Sequence, residues 1–276
     1  MDIKKIRELI DLALKEDLPV GDITTEAIVP PDLLARAVFL AKEDGVLAGI
    51  EVAAEVFKKI DPAVEFKIIK QDGQKFKKGE VLAEVSGRAA SLLKAERTAL
   101  NFLQRLTGIA TLTRAFVDRV SETKAIILDT RKTTPGWRAL EKYAVKMGGG
   151  KNHRQNLSEM MLIKDNHIRI AGGISPALKK AKEKASPEIK IEVETTNVNE
   201  VKEALEGGAD IIMLDNMSLK DIKKAVKMVN GRVPLEVSGK VSLKKVRSLA
   251  LTGVDFISVG ALTHSFKSTD ISLEFV

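Results

Sequence analysis

Between Asp129 and His167 the sequence concentrates groups that hold negative charge: Arg131, Lys132, Lys151, His153, Arg154 and Lys164. An Arg fork meets a carboxylate or phosphate at two points, and a Lys ammonium acts as a movable point charge. Further along, Glu194 and Asp215 each close a short apolar run. Two carboxylates beside a cationic cluster suit a divalent metal or sugar hydroxyls, or plain ion pairs with Lys132 and Lys164. Ser238-Gly239-Lys240 and Gly260-Ala261 follow two later runs, where barrel loops commonly cradle a phosphate on backbone N–H groups. Gly148-Gly149-Gly150 precedes Lys151 and His153-Arg154, and a glycine run lets a backbone approach a ligand closely. The pattern predicts a wall that grips a small substrate rich in negative charge.

Strand ends must position these groups. Six short apolar runs, at 125–128, 160–163, 189–193, 211–214, 233–237 and 256–259, read as strands. Helical periods lie between most of them, at 176–185, 198–206, 219–229 and 243–251. Near-continuous apolar strands alternating with helices indicate a parallel sheet, and so long a series favours a barrel over an open doubly wound sheet. Every run ends in polar residues: Asp129-Thr130-Arg131-Lys132, Lys164-Asp165-Asn166-His167, Glu194, Asp215-Asn216, Ser238-Gly239-Lys240, and Gly260 with Thr263 and His264. Active sites of parallel barrels lie at those ends. Residues 1–90 mix elements without a regular repeat. A helix over 3–17 carries Ile3, Ile6, Leu9, Ile10, Ala13 and Leu14 on one face and is broken by Gly21-Asp22. Strands follow at 35–41, 64–69 and 81–85, a helix at 50–59, and a long helical pattern from Ser91 to Val120.

The chain has 276 residues, 44% of them hydrophobic, with a net charge of +7, so it can bury a sizeable core and favours an anionic partner. It has no Cys, which excludes disulfides, Cys-ligated zinc and thiol chemistry. His153 and His167 lack zinc-site spacing, so zinc is not expected. No apolar run approaches the roughly 18 residues of a membrane span, and the N-terminus has no apolar signal core; a cytoplasmic protein is expected. Nucleic acid is disfavoured, because the basic segment lacks interleaved aromatics for base stacking and no known binding signature appears.

The runs Asp129-Thr130-Arg131-Lys132-Thr133-Thr134-Pro135-Gly136, Lys146-Met147-Gly148-Gly149-Gly150, Asn152-His153-Arg154 and Lys164-Asp165-Asn166-His167 resemble the quinolinate phosphoribosyltransferase family (nicotinate-nucleotide pyrophosphorylase, carboxylating). So do Gly21-Asp22-Ile23-Thr24-Thr25, Glu96-Arg97-Thr98-Ala99-Leu100-Asn101, Ile191-Glu192-Val193-Glu194, Met213-Leu214-Asp215-Asn216, Ser238-Gly239 and Ser258-Val259-Gly260-Ala261-Leu262-Thr263-His264. The resemblance covers nearly the whole chain in order. It implies an α/β fold of the type II phosphoribosyltransferase kind. An N-terminal α/β sandwich over 1–108, completed by about 266–276, would precede an incomplete, seven-stranded parallel α/β barrel over 109–265.

The resemblance also implies an activity. Phosphoribosyl pyrophosphate and quinolinate would give nicotinate mononucleotide, pyrophosphate and CO2, with Mg2+, in NAD synthesis. It implies a homodimer in which Arg97 reaches into the partner's site. By the same resemblance Arg131, His153, Arg154 and Lys164, with Thr130, line the quinolinate pocket. Lys132 and Lys164 touch both substrate and pyrophosphate. Glu194 and Asp215 face the ribose hydroxyls and the metal, and Ser238, Gly239, Gly260 and Ala261 form the 5′-phosphate site. Lys132, Lys164, Glu194 and Asp215 make up the expected catalytic set, with no general acid or base assigned. Two residues depart from the family pattern: Lys240, an extra cation after Ser238-Gly239 that either touches the 5′-phosphate or points to solvent, and Trp137, larger than the Leu expected there and placed to cover the loop. The alternatives are a relative acting on another base, such as nicotinate or the substrate of a molybdenum-pathway paralogue, and a non-enzymatic polyanion binder. The joint presence of Arg131-Lys132 and His153-Arg154 favours a dianionic pyridine.

Overall fold

The structure, a computed structural model, describes residues 3–276, with side chains from Ile6 onward. Its elements run in chain order as α1 (Ile3–Asp17), α2 (Ile23–Ile28), β1 (Leu34–Ala41), β2 (Gly45–Val46), α3 (Ile50–Ile60), β3 (Glu65–Ile68), β4 (Lys75–Phe76), β5 (Val81–Arg88) and α4 (Ala89–Val120). They continue with β6 (Ile126–Leu128), α5 (Arg138–Met147), β7 (Met161–Ile163), α6 (Asp165–Ala171), α7 (Ile174–Lys184), β8 (Ile191–Thr195), α8 (Val198–Glu206) and β9 (Ile211–Asp215). The last are α9 (Leu219–Val229), β10 (Leu235–Ser238), α10 (Val246–Ala250), β11 (Phe256–Ser258), α11 (Ala261–His264) and β12 (Ile271–Phe275). Contacts divide the chain into two compact units, one of Met1–Arg114, Thr134–Gly149 and Phe266–Val276, the other of Ala115–Thr133 and Gly150–Ser265. The division falls within α4, and the segment carrying α5 belongs to the first unit.

In the first unit an antiparallel sheet runs in the order β12-β1-β5-β3. The rings of Phe39, Phe57 and Phe66 meet at centroid distances of 5.5–5.9 Å, and Phe39 and Phe57 are fully buried. Burying each such ring contributes about 2–3 kcal/mol. The apolar face of α1 buries Ile6 and Ile10; the side chain of Ile3, expected on that face, lies outside the described residues. Gly21-Asp22 does more than break a helix. The Asp22 carboxylate accepts the N–H groups of Thr24 and Thr25 at 3.1 and 3.0 Å and starts α2, a short helix the apolar periodicity did not show. Trp137 stacks on Phe102 at 4.7 Å, with the Arg105 guanidinium 5.1 Å from its ring. Arg105 in turn pairs with the buried carboxylate of Glu141.

Gly148, the first of the glycine run, serves packing rather than the approach of a ligand. A Cβ on Gly148 would stand 2.5 Å from the carbonyl oxygen of Ala110 and 2.5 Å from Thr113 Cβ on α4. Gly148→Ala is therefore expected to lower stability by about 1–3 kcal/mol through overpacking, seen as a fall in the thermal midpoint. An unchanged midpoint would show that the helices separate without cost.

The second unit is a six-stranded parallel sheet in the order β6-β11-β10-β9-β8-β7. Val193, Ile212, Leu214, Val237 and Ile257 are buried on one of its faces, and Glu192, Met213 and Glu236 alternate onto the other. These are the six strands read from the apolar runs, within two residues at each end. β6 and β7, consecutive in sequence among the sheet's strands, stand at its opposite edges, so the barrel does not close. Lys151 runs along the free side of β6, donating its N–H to Ile127 O at 2.9 Å and accepting from Asp129 N at 3.2 Å. The seventh strand implied by the resemblance is thus a single bridge among the described residues. None of their helices is long and apolar enough to cross a membrane.

Candidate active site

At the carboxyl ends of the second unit's strands lies a pocket of about 710 Å³. Thr130, Arg131 and Lys132 enter it after β6, His153 and Arg154 from the bridged segment, and Lys164 after β7. Glu194 is the penultimate residue of β8, Asp215 and Ser238 end β9 and β10, and Gly239, Lys240, Gly260 and Ala261 follow β10 and β11. Every site residue expected from sequence lines this one cavity except Arg97, which is exposed on α4 in the first unit.

Local chemistry sets each position. Asp129 is fully buried at the end of β6. It accepts the amide of Asn152 at 2.5 Å and the His153 backbone N–H at 2.9 Å, turning the bridged segment into the pocket. Arg154 donates to the carbonyl of Met160 at 2.9 Å. Burial, with Arg131 nearby, pushes its pKa below the usual guanidinium range. Thr263 Oγ1 donates to the carbonyl of Lys132 at 2.8 Å and fixes that turn. Gly239 sits at φ +90, and a Cβ there would stand 2.4 Å from the Asn216 side chain, so any larger residue is barred by both backbone and space. Lys240 holds φ +48 and Asn216 φ +53, a rarely populated backbone for residues other than glycine.

Among the described residues, no carboxylate lies within 4.0 Å of the Lys132 or Lys164 ammonium, so the simple ion-pair reading of Glu194 and Asp215 does not hold. Arg131 Nε is buried without a hydrogen-bond partner. A buried cationic donor left unpaired is costly unless a ligand supplies the acceptor. Across the pocket, Glu194's carboxyl is pushed up by burial and then by the charge of Asp215, against the pull of Lys164 and Lys132. The Asp215 carboxylate accepts from Asn216 Nδ2 at 2.7 Å. Two neighbouring carboxylates offer hard oxygen donors to a divalent cation or to sugar hydroxyls. His167 takes no part in the pocket: its Nδ1 accepts the Lys164 N–H at 3.0 Å and caps α6.

Glu192 and Glu236 were not singled out by residue type and spacing. They are 0% and 1% exposed on β8 and β10. His153 Nε2 lies 2.9 Å from Glu192 Oε2 and 3.6 Å from Glu236 Oε2, and Ser258 Oγ donates to Glu236. Burial pushes both carboxyls well above the ordinary range, Glu236 further through the neighbouring charge of Glu192. Glu192 Oε1 has no hydrogen-bond partner, and a proton carried by Glu236 would give the pair a donor. The available signal was a lone Glu inside each apolar run, Ile191-Glu192-Val193 and Leu235-Glu236-Val237.

Fold and pocket together define a class: an α/β protein that gathers unpaired cations and two carboxylates at the carboxyl ends of a parallel sheet to hold a small polyanion. The C-terminal domain model of quinolinate phosphoribosyl transferase matches residues 109–274 and the N-terminal one residues 22–107, and the chain belongs to the quinolinate phosphoribosyltransferase family. Quinolinate phosphoribosyltransferase [decarboxylating] 2, mitochondrial, of Nicotiana glauca is 45% identical over 288 residues, covering 98% of this chain and 82% of its own. The probable nicotinate-nucleotide pyrophosphorylase [carboxylating] of Bacillus subtilis is 42% identical over 274 residues, covering 99% and 94%. The solved nicotinate-nucleotide pyrophosphorylase of Francisella tularensis superposes with a TM-score of 0.96 at 43% identity, over 100% of this chain and 98% of that one.

Proposed function

We infer that the chain transfers the phosphoribosyl group of phosphoribosyl pyrophosphate to quinolinate, with loss of CO2, giving nicotinate mononucleotide and pyrophosphate. The observation that carries this reading is the unpaired cation set. The free ammonium groups of Lys132 and Lys164 and the unpartnered Arg131 Nε converge on one pocket with Arg154. Quinolinate brings two carboxylates, and the second substrate brings a pyrophosphate and a 5′-phosphate.

In this reading Arg131, His153, Arg154 and Lys164 take the two carboxylates of the pyridine, and Arg97 of a second subunit completes the pocket in a homodimer. Thr130 flanks them. Lys132 and Lys164 stand between the pyridine and the departing pyrophosphate. Ser238, Gly239, Gly260 and Ala261 hold the 5′-phosphate, with Lys240 as an added cation. The anomeric C–O bond breaks as pyrophosphate leaves, and the ring nitrogen bonds to the same carbon. Positive charge develops on the sugar, so the protein acts by positioning and by fixed charge. Glu194 and Asp215 orient the ribose hydroxyls, and their hard oxygen donors suit Mg2+. The ion, when bound, neutralises pyrophosphate charge. Once the ring nitrogen is cationic, the C–CO2 bond breaks, its electron pair stays on the ring carbon beside that nitrogen, and a proton from solvent completes the C–H bond while Arg131 and Lys164 hold the ring in place. A cytoplasmic site of action is part of the proposal. The Nicotiana glauca relative is named as mitochondrial, so location varies within the family.

The test is pyrophosphate release with phosphoribosyl pyrophosphate and either quinolinate or nicotinate. A pocket built for two carboxylates leaves cations unpaired when one is missing, so nicotinate is expected to fall behind by about 100-fold or more in kcat/KM. Turnover of nicotinate alone would overturn the reading.

A further inference from the structure

Glu192 and Glu236 project from the two strands that flank β9 onto the face that carries the pocket, and Glu236 lines it. Barrel interiors are built in such layers from alternate strands, and the usual fillings are branched apolar residues. Two carboxyl groups in that layer are expensive, and apolar side chains of similar volume would fill it more stably. The contact the layer gains with a pocket residue is to His153. The backbone of that residue needs no help from the pair, because Asp129 already accepts its N–H at 2.9 Å. What Glu192 holds is the imidazole, by Nε2 at 2.9 Å, with Glu236 Oε2 standing 3.6 Å from the same nitrogen, beyond hydrogen-bond distance. His153 lines the pocket with 9% of its side chain exposed. Glu236 is itself held from behind by the Ser258 hydroxyl.

We propose that Glu192 and Glu236 are positioning residues that pin His153 by its Nε2–H, fixing the tautomer and ring angle with which it meets the pyridine substrate. An imidazole whose one nitrogen is held by a carboxylate keeps a single tautomer and orientation for whatever its other face contacts. The energetic cost of the buried pair is then spent on selecting the acceptor bound above, not on the fold.

Three measurements test this. The first needs no turnover. The chain has three His, so nitrogen NMR of labelled protein, assigned with His153→Ala, resolves this ring. A proton held on Nε2 is expected, giving way to a mixture of tautomers in the Glu192→Gln/Glu236→Gln double variant. An Nδ1–H ring, or a ring unchanged in that variant, would overturn the proposal. The second is kinetic and rests on the quinolinate reading. Glu236→Leu is expected to raise KM for quinolinate at least about 10-fold while KM for phosphoribosyl pyrophosphate stays within about 2-fold, with Glu236→Gln in between. In a His153→Ala background the Glu236 change is expected to add little, because its effect passes through that ring. Equal shifts in both KM values, or the full effect persisting without His153, would assign the pair to general structure. If Glu236→Leu does not fold, the glutamine double variant carries the same cycle. Thermal melting supplies the last check: a positioning role predicts an unchanged or higher midpoint for Glu236→Leu, a structural role a lower one.

Discussion

Arg131→Ala is expected to lower kcat/KM for quinolinate by about 100- to 1,000-fold while leaving the folded protein as stable as before. The size follows from the contacts available. A guanidinium fork offers two charge-assisted hydrogen bonds to one carboxylate, each about 1.5–3 kcal/mol, and tenfold in rate corresponds to about 1.4 kcal/mol. The direction of the stability effect follows from the orphaned Nε, buried with no partner. Its removal takes away an uncompensated desolvation and one of the two causes, after burial, that hold the Arg154 pKa down. Arg131→Lys is expected to recover little, because an ammonium lacks the planar fork. The measurement is steady-state kinetics beside a thermal melt. A loss under about fivefold, or a collapse of the melt, would remove Arg131 from the substrate contact.

Mixing two inactive proteins is the second large effect. Arg97 is exposed on α4 and does not line its own chain's pocket, whereas Lys164 does. In the proposed homodimer with shared sites, Arg97→Ala and Lys164→Ala subunits that exchange freely form heterodimers with one intact and one doubly impaired site. Random pairing in a twofold assembly makes about half of all dimers mixed, so activity is expected to return to about a quarter of the unmutated level. Absence of recovery in verified heterodimers would put Arg97 outside the site. Recovery with Arg131→Ala as the second parent, in place of Lys164→Ala, would locate the same boundary from another residue.

Strand-end chemistry was legible in the sequence because parallel strands read as continuous apolar runs, and whatever follows each run faces the site. Arg131, Lys164, Glu194 and Asp215 were found that way. Glu192 and Glu236 were harder, because inside a strand the period-two alternation makes a buried Glu look like a solvated one until the partner strands are known. The helix over 138–147 escaped for a different reason. Its residues Arg138-Ala139-Leu140-Glu141-Lys142 bury Glu141 and Lys142 together with Leu140, so the apolar stripe is interrupted by charged groups, and the partner of Glu141, Arg105, is distant in sequence. The glycines at 148–150 sit beside functional residues, and only the packing distance to α4 shows Gly148 serving a helix contact.

The pairing of β12 with β1, from Ala37 opposite Phe275 to Ala41 opposite Ile271, sets an order of events during synthesis. About 180 residues separate β5 from β12, and at 5–20 residues per second β1 waits on the order of 10–40 s with one flank open. A strand with unsatisfied N–H and C=O groups is a template for another nascent chain. Slow translation through the second unit would lengthen that interval. The yield of soluble protein should therefore depend on how fast ribosomes cross residues 89–270 as well as on the stability of the finished fold.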